Sequence, residues 1–435
     1  MSDTLASLRE YIGGLPLVDT HEHVVPEADR LAVPQDLFSW FPHYASSDLV
    51  SAGMPIPVLE EVRNPAVPLE ERWRKFAPYW EATRNTAYCR ALLIAARDLH
   101  GVEDITADTW RTLSDKIAAS ARPGWYHHVL RERANIAVSL NDTDYIARER
   151  SDFALFAPVR RMDDVVGIRS RAELKQLERD YDTTVHSLDD LVRLVGRIVE
   201  RAVADGYVAL KNAMAYRRPI NYELVSRHEA EQIFNRLPNY LDELRARVYP
   251  GVGLGWAEAK PLQDYLVHQF IRAGIDNHLP IQIHTGLQEG DGNLLVHSNP
   301  LYLANLLCEY PEARFDIFHA GYPWTSEVAT LGKNFQNTYV DLCWVHVISP
   351  AVSARVLDEW LETVPANKIL AFGGDYRFVE GAYAHAVMAR EVVAKVLAAK
   401  VDEGYFSAAE APALANRLLH DNAWDLFKLA ERKRS

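Results

Sequence analysis

Short apolar runs recur eight times along this chain of 435 residues. Each run is nearly continuous in apolar residues, which is typical of a parallel strand that is buried on both faces. The runs predict eight strands, at residues 15–21, 135–142, 153–159, 207–213, 280–286, 315–321, 338–344 and 369–375.

Amphipathic stretches separate most of these runs. Residues 187–206 have helical periodicity, with Ser187 as a candidate N-cap and Gly206 as a stop. Similar stretches precede the fifth strand and follow the fifth and the seventh. Strands that alternate with helices predict an α/β fold, and eight of them indicate a (β/α)8 TIM barrel. An open, doubly wound sheet is the alternative, although eight strands are more than such sheets commonly use.

Two regions of the sequence are additional to the strands and helices of a minimal barrel. Residues 25–130, between the first and second strands, contain helical segments such as LEERWRKFAPYWEA and predict a helical insertion. The sequence after residue 381 predicts extra C-terminal helices that pack on the barrel. The chain has no internal repeat and no low-complexity linker, so we predict a single domain over residues 1–435.

Composition and charge restrict the partners. Hydrophobic residues make up 48% and charged residues 25% of the chain, which is ordinary for a globular protein. The formal net charge of −13 argues against nucleic acid or an anionic membrane surface as a partner, but not against a small-molecule substrate. Three scattered cysteines, no secretory leader and no long apolar stretch indicate a cytoplasmic protein. The size and acidity fit a homo-oligomer.

Polar residues with metal-binding chemistry follow five of the predicted strands. His21 and His23 stand two positions apart, so their side chains share one face of the strand end. In a TIM barrel the active site lies at the C-terminal ends of the strands. Imidazole and carboxylate are good ligands for zinc, and for manganese or iron when more oxygen donors are present. The strand-end set predicts a metal centre: His21, His23, Lys211, His284, His319 and Asp375.

This pattern resembles the amidohydrolase superfamily of metal-dependent TIM-barrel hydrolases. The superfamily has H-x-H on strand one, a lysine on strand four, histidines on strands five and six, and an aspartate on strand eight. The segments LKNAMAYR, IHTGLQEGDGN, FHAGYPW and LAFGGDY look most like the branch with the glutamine-synthetase-fused amidohydrolase domain. The insertion after strand one is similar to that of uronate isomerase.

The resemblance implies a hydrolase that cleaves an amide, ester or lactone bond of a small polar molecule. His21, His23 and Asp375 would hold a first divalent metal, most simply zinc, which would lower the pKa of a bound water to about 7. Asp375 would accept the proton from that water and pass it to the leaving group. The metal, His284 or His319 would polarise the carbonyl group.

Lys211 has three interpretations. If its amine is carboxylated, it bridges two metals and completes a second site with His284 and His319. As a plain cation it repels a second metal and binds a substrate carboxylate instead. It could also pair with an acid such as Glu289 or Asp291. The chain therefore holds one or two metals.

Two other functions stay open. A sugar-acid isomerase or a decarboxylase could use the same metal-binding barrel, and a catalytically silent barrel could serve as a binding protein. Several loop residues are candidates for substrate binding, although Arg217 could simply be solvated, Gln288 could serve the turn geometry of its loop, and Trp324 could serve packing. They are Tyr216, Arg217, Gln288, Trp324 and Arg377. The remaining histidines are expected at ordinary core or surface positions, and His297 and His346 are the two to check.

Overall fold

A computed structural model describes residues 3–142, 152–238 and 253–431. Within them, eight strands form one sheet whose spatial order follows the chain from β1 to β8. A doubly wound sheet would instead reverse its order at a switch point. The α/β TIM barrel is therefore confirmed. Its strands are β1 (Leu17–Glu22), β2 (Ile136–Asp142), β3 (Phe156–Arg161), β4 (Ala209–Asn212), β5 (Ile281–Ile283), β6 (Phe315–Ile317), β7 (Thr338–Asp341) and β8 (Ile369–Leu370).

Most strands are shorter than the apolar runs that predicted them. β3 begins at Phe156 rather than at residue 153, and β8 consists only of Ile369 and Leu370. The run over residues 315–321 leaves the sheet after Ile317, because its backbone turns into the left-handed region at His319 and Ala320 (φ 61° and 49°). The apolar runs therefore extend beyond the last hydrogen bond between strands, into the loop segments that carry the polar residues.

Helices connect the strands and fill both additional regions. Before β2 lie α1 (Asp3–Gly14), α2 (Glu27–Leu31), α3 (Ala45–Ser51), α4 (Ile56–Arg63), α5 (Leu69–Thr83), α6 (Ala87–His100), α7 (Trp110–Ser120) and α8 (Trp125–His127). Between β3 and β6 lie α9 (Asp163–Val166), α10 (Arg171–Asp180), α11 (Leu188–Ala204), α12 (Arg227–Arg236), α13 (Trp256–Asp276) and α14 (Ala304–Glu309). After β6 come α15 (Thr325–Asn334), α16 (Val345–Ile348), α17 (Pro350–Thr363), α18 (Val379–Asp402), α19 (Glu410–Asn416) and α20 (Asn422–Leu426).

The chain divides into two compact units. The first comprises Met1–Pro158, Leu287–Asn293 and Val340–Ser435, and the second comprises Val159–Gly286 and Leu294–Tyr339. The first unit thus contains β1, β2 and β8, the second contains β4, β5 and β6, and β3 and β7 each have residues in both units. The expectation of a single domain stays a prediction.

The helical insertion between β1 and β2 packs its aromatic side chains into a hydrophobic cluster of the first unit that also includes Trp344. Phe38, Phe41, Phe76 and Trp80 are buried, and the Phe41 and Phe76 rings meet edge to face with centroids 4.8 Å apart. Aromatic pairs in this arrangement add stabilisation beyond the burial of their area. The predicted insertion after strand one is therefore confirmed as a helical region.

The helix that the sequence predicted over residues 187–206 is confirmed, and it lies in the second unit. Ser187 caps α11 by accepting a hydrogen bond from the Asp190 backbone N–H, and Asp190 returns a bond to the cap. Reciprocal capping of this kind satisfies two N–H groups at a helix start. Gly206, just past the helix, has a φ of 83°, which glycine adopts without strain. The local sequence is therefore sufficient to determine where helix α11 begins and ends.

None of the helices in the described ranges is both long and apolar enough to cross a membrane.

Candidate metal centre

Two imidazoles and one carboxylate converge in the first unit. His21 lies on β1 and is 1% exposed, and His23 follows the strand and is half-buried. The Oδ1 atom of Asp375 lies 3.3 Å from the Nε2 atom of His21 and 3.3 Å from the Nε2 atom of His23. The structure therefore brings together three of the six residues that the strand-end pattern selected.

This spacing fits a shared divalent ion. Donor atoms that bind one zinc tetrahedrally at about 2.0–2.1 Å lie about 3.3–3.4 Å from each other. The His21 and His23 rings meet edge to face with centroids 4.6 Å apart, so both can direct Nε2 at one point. Two imidazole nitrogens and a carboxylate oxygen also form a donor set that zinc, manganese and iron accept.

Asp142 is a candidate ligand that the sequence analysis missed. One donor atom each of Asp142, His21 and His23 lie within 4.8 Å of one another. Its backbone carbonyl also lies 3.3 Å from the Nδ1 atom of His23. Asp142 is the last residue of β2, so the rule that selected the other strand-end residues would have found it.

Residues of the insertion hold the backbone of Asp375. The Tyr44 hydroxyl donates to the Asp375 carbonyl, and His43 Nε2 lies 3.3 Å from the same oxygen. Burial lowers the pKa of His43 well below its usual range and raises the pKa of Tyr44 well above its own. Both groups are therefore neutral at pH 7. The sequence analysis had given His43 no role beyond an ordinary position.

Two buried acids of β1 lie beside the same loop. Asp19 and Glu22 are fully buried. Burial raises the pKa of Asp19 to about 6. Burial and the neighbouring charge of Asp19 raise the pKa of Glu22 well above its usual range. The surroundings of Glu22 thus favour its protonated form, although it stands between two metal-ligand candidates in sequence.

The second unit brings together the other three strand-end residues. His284 directly follows β5 and His319 follows β6; both are buried, with His319 Nε2 3.0 Å from His284 Nδ1. Lys211, on β4, is also buried, and its Nζ lies 3.3 Å from the centroid of the Phe318 ring. A cation held over an aromatic face is stabilised by the ring quadrupole.

Sheet register and one buried ion pair position this second group. Lys211 pairs with Gln282 across the β4–β5 ladder, and the His284 N–H donates to the Asn212 carbonyl at 2.9 Å. The loop after β4 is fixed by Arg218, whose guanidinium donates to the Asp264 carboxylate at 2.5 Å with both side chains fully buried. The segment after Lys211 is thereby held to helix α13.

The proposed substrate residues of the second unit lie at different depths. The Tyr216 side chain is 40% exposed, and its ring centroid lies 4.6 Å from that of His284. Arg217 is exposed, and Trp324 is half-buried at the start of α15. Of these three, Tyr216 has the clearest contact with a predicted site residue.

The first unit contains the other two substrate candidates. Gln288 is buried and Arg377 is exposed. Arg63 of the insertion and Arg377 both act on Glu289; burial raises the pKa of this carboxyl and the two cations lower it. The guanidinium groups of Arg63 and Arg377 therefore both lie near the Glu289 carboxyl. Arg63 had no signal in the sequence, since nothing local distinguishes it from a solvated arginine.

The two histidines marked for checking differ. His346 is buried in the first unit, where its Nε2 donates to the Ala371 carbonyl at 2.8 Å and its Nδ1 accepts from the Ser353 hydroxyl. His297 is half-buried in the second unit, with its ring 6.0 Å from that of Trp256. His346 is therefore a structural residue in the core.

Comparison with known proteins identifies the family. The family model described as amidohydrolase matches residues 188–429, which is more than half of the chain. This chain belongs to the amidohydrolase family. Protein fluG of Emericella nidulans is 30% identical over 241 residues, a match that covers 54% of this chain. The match spans only 27% of protein fluG. The resemblance drawn from the strand-end residues is thereby confirmed.

Solved structures with the same fold include two isomerases. A uronate isomerase from Thermotoga maritima has a TM-score of 0.78 at 16% identity and covers 98% of each chain. A glucuronate isomerase from Caulobacter crescentus has a TM-score of 0.77 at 20% identity, covering 99% of this amidohydrolase and 95% of that chain. A Lactobacillus casei protein provisionally named a metal-dependent hydrolase has a TM-score of 0.67 at 19% identity and covers 98% and 99%. At these identities the likeness shows the fold alone.

Proposed function

We propose that this amidohydrolase is a metal-dependent hydrolase that cleaves an amide, ester or lactone bond of a small polar molecule. One observation carries the proposal. A single carboxylate oxygen of Asp375 lies 3.3 Å from the Nε2 atoms of both His21 and His23, at the spacing of donors that share one ion. Family membership supports the same chemistry.

The roles of the chain's own groups follow from this arrangement. A divalent metal, with zinc as our choice, would supply Lewis acidity when bound and would lower the pKa of water to about 7. His21 and His23 orient the ion with their Nε2 atoms. The Asp375 carboxylate, which is nearly buried, accepts the proton from the attacking water and later delivers it to the leaving group.

The second unit supplies further groups in this proposal. We assign His284 or His319 to polarise the carbonyl of the substrate. A carboxylated Lys211 would join both histidines in holding a second ion, whereas a plain Lys211 ammonium would bind a substrate anion. Tyr216, whose ring lies beside that of His284 at an interplanar angle of 51°, and Arg377 are proposed to contact the substrate.

An isomerase acting on a sugar acid is the second candidate. It is favoured by the contacts of His43 and Tyr44, which come from the insertion and meet the backbone of Asp375. The insertion is thus part of the surroundings of the proposed ligand in the first unit. The uronate isomerase structures match the chain over nearly its whole length, insertion included.

Metal analysis and product analysis test the proposal together. Protein purified without chelators is expected to contain about two metals per chain if Lys211 is carboxylated and about one if it is not. Hydrolysis adds the mass of water to the products of a converted substrate, whereas isomerisation leaves the mass unchanged. The variant His21→Ala removes a proposed metal ligand. Its matched control is His127→Ala, since the His127 side chain is 60% exposed. No bound metal after reconstitution with zinc, manganese or iron would refute the enzyme assignment and favour a silent barrel.

A further inference from the structure

The loop that carries Asp375 is backbone-strained. Asp375 has a φ of 60°, in the left-handed region that residues other than glycine rarely enter. Such a conformation persists only where the surrounding structure holds it. The question is which groups hold this loop after β8.

Three consecutive amides of the loop donate to β1. The Gly374 N–H donates to Asp19 Oδ1 at 2.9 Å, and the Asp375 N–H donates to the His21 carbonyl at 2.7 Å. The Tyr376 N–H donates to Glu22 Oε2 at 2.6 Å. Two of these three acceptors are therefore side-chain carboxyls of β1, and they bracket Asp375.

Close packing of the loop glycines against β1 side chains supports the same contact between the loop and β1. A Cβ atom on Gly374 would lie 1.7 Å from Glu22 Oε1, and one on Gly373 would lie 2.4 Å from Thr20 Oγ1. Glycine at both positions lets the loop backbone approach the β1 side chains. The Glu22 side chain thus fills the space directly beneath the residue before Asp375.

The environment of the two acids argues against a direct catalytic role. Both are fully buried, and Asp19 also accepts from the Ser139 hydroxyl at 2.9 Å and from the His21 N–H at 3.2 Å. Both oxygens of Asp19 and the Oε2 atom of Glu22 accept hydrogen bonds from N–H or O–H donors of the protein. A buried carboxyl that is satisfied in this way holds structure in place.

We propose that Asp19 and Glu22 are positioning residues. They fix the backbone of Gly374–Tyr376 and thereby place the Asp375 carboxylate against His21 and His23. The inference deepens the proposed function, because it rests on Asp375 as a metal ligand. Groups that orient metal ligands in this way typically contribute 10–100-fold to metal affinity.

The test compares two isosteric variants of Glu22. The Glu22 carboxyl also hydrogen-bonds the side chain of Asp19. Glutamine keeps an acceptor for the Tyr376 N–H and offers an amide donor to Asp19, whereas methionine keeps the volume and loses both interactions. We expect Glu22→Met to bind zinc at least about tenfold more weakly, by competition with a chromophoric chelator, and Glu22→Gln to stay within about threefold of wild type. The visible spectrum of bound Co²⁺, which reports ligand geometry, should shift in Glu22→Met alone.

A destabilised variant away from the loop separates positioning from general stability. Leu113→Ala removes a fully buried side chain in α7. It should lower the melting temperature without changing the zinc affinity. Equal zinc affinity in Glu22→Met and wild type would overturn the proposal, and so would a loss in Glu22→Gln of tenfold or more.

If Glu22→Met does not fold, Asp19→Leu takes its place, because it removes the acceptor of the Gly374 N–H. A zinc affinity about tenfold weaker is then expected, and an affinity equal to that of wild type would overturn the proposal. Wild-type protein that binds no metal would instead defeat the proposed function.

Discussion

His346 should make this protein sensitive to mild acid. Its imidazole is fully buried, and both ring nitrogens have partners, so the neutral form is built into the core. Burial lowers its pKa from 6.5 to about 4. The unfolded chain therefore takes up a proton at His346 between those values, and the folded protein does not.

The sign and size follow from linkage. Because the folded pKa is depressed, the stabilising effect of the neutral imidazole is fully present above pH 6.5 and is lost as the pH falls toward 4. A shift from 6.5 to 4 corresponds to about 2 kcal/mol of unfolding free energy lost between pH 7.5 and pH 5.

The measurement is urea unfolding followed by tryptophan fluorescence at both pH values, for wild type and His346→Gln. Glutamine retains one donor for the Ala371 carbonyl and one acceptor for the Ser353 hydroxyl, but it does not titrate. Other buried groups, including the neighbouring His385, titrate in both proteins and cancel in the comparison. His346→Gln should lose about 2 kcal/mol less stability between the two pH values. Parallel losses in both proteins would refute the reasoning.

Four further outcomes test the site and its support. His23→Ala should lower metal content and activity together, measured by elemental analysis and turnover; full metal content would contradict its ligand role. Asp375→Asn should reduce turnover strongly with little change in melting temperature, and unchanged turnover would remove its assigned role. If the lysine is carboxylated, Lys211→Ala should lose metal and recover part of it when a short carboxylic acid is added. No recovery would favour a plain ammonium. Asp264→Asn should lower the unfolding free energy by about 3–5 kcal/mol, because it leaves the fully buried Arg218 guanidinium without its ionic partner. A loss below about 1 kcal/mol in urea unfolding would contradict this estimate.

The fold and much of the candidate site could be read from local patterns. Apolar runs alternating with amphipathic stretches determine strand and helix, because burial on both strand faces and on one helix face imposes those periods. Ser187 and Gly206 set helix ends through bonds within a few residues. Parallel strands of a barrel end on the same side, so a rule as simple as the polar residue after each strand selected His21 and His284.

Only the tertiary structure decided what holds these groups in place. Asp19 and Glu22 meet the Asp375 loop more than 350 residues later in the chain, and Tyr44 reaches it from the insertion. Such hydrogen bonds depend on close approach of distant backbone segments, which no local period encodes. The sequence by itself therefore determined the barrel and the positions of the candidate metal ligands along the chain. The 3.3 Å distances from Asp375 Oδ1 to the Nε2 atoms of His21 and His23 depend on long-range packing, because that packing alone sets the distance between β1 and the loop after β8.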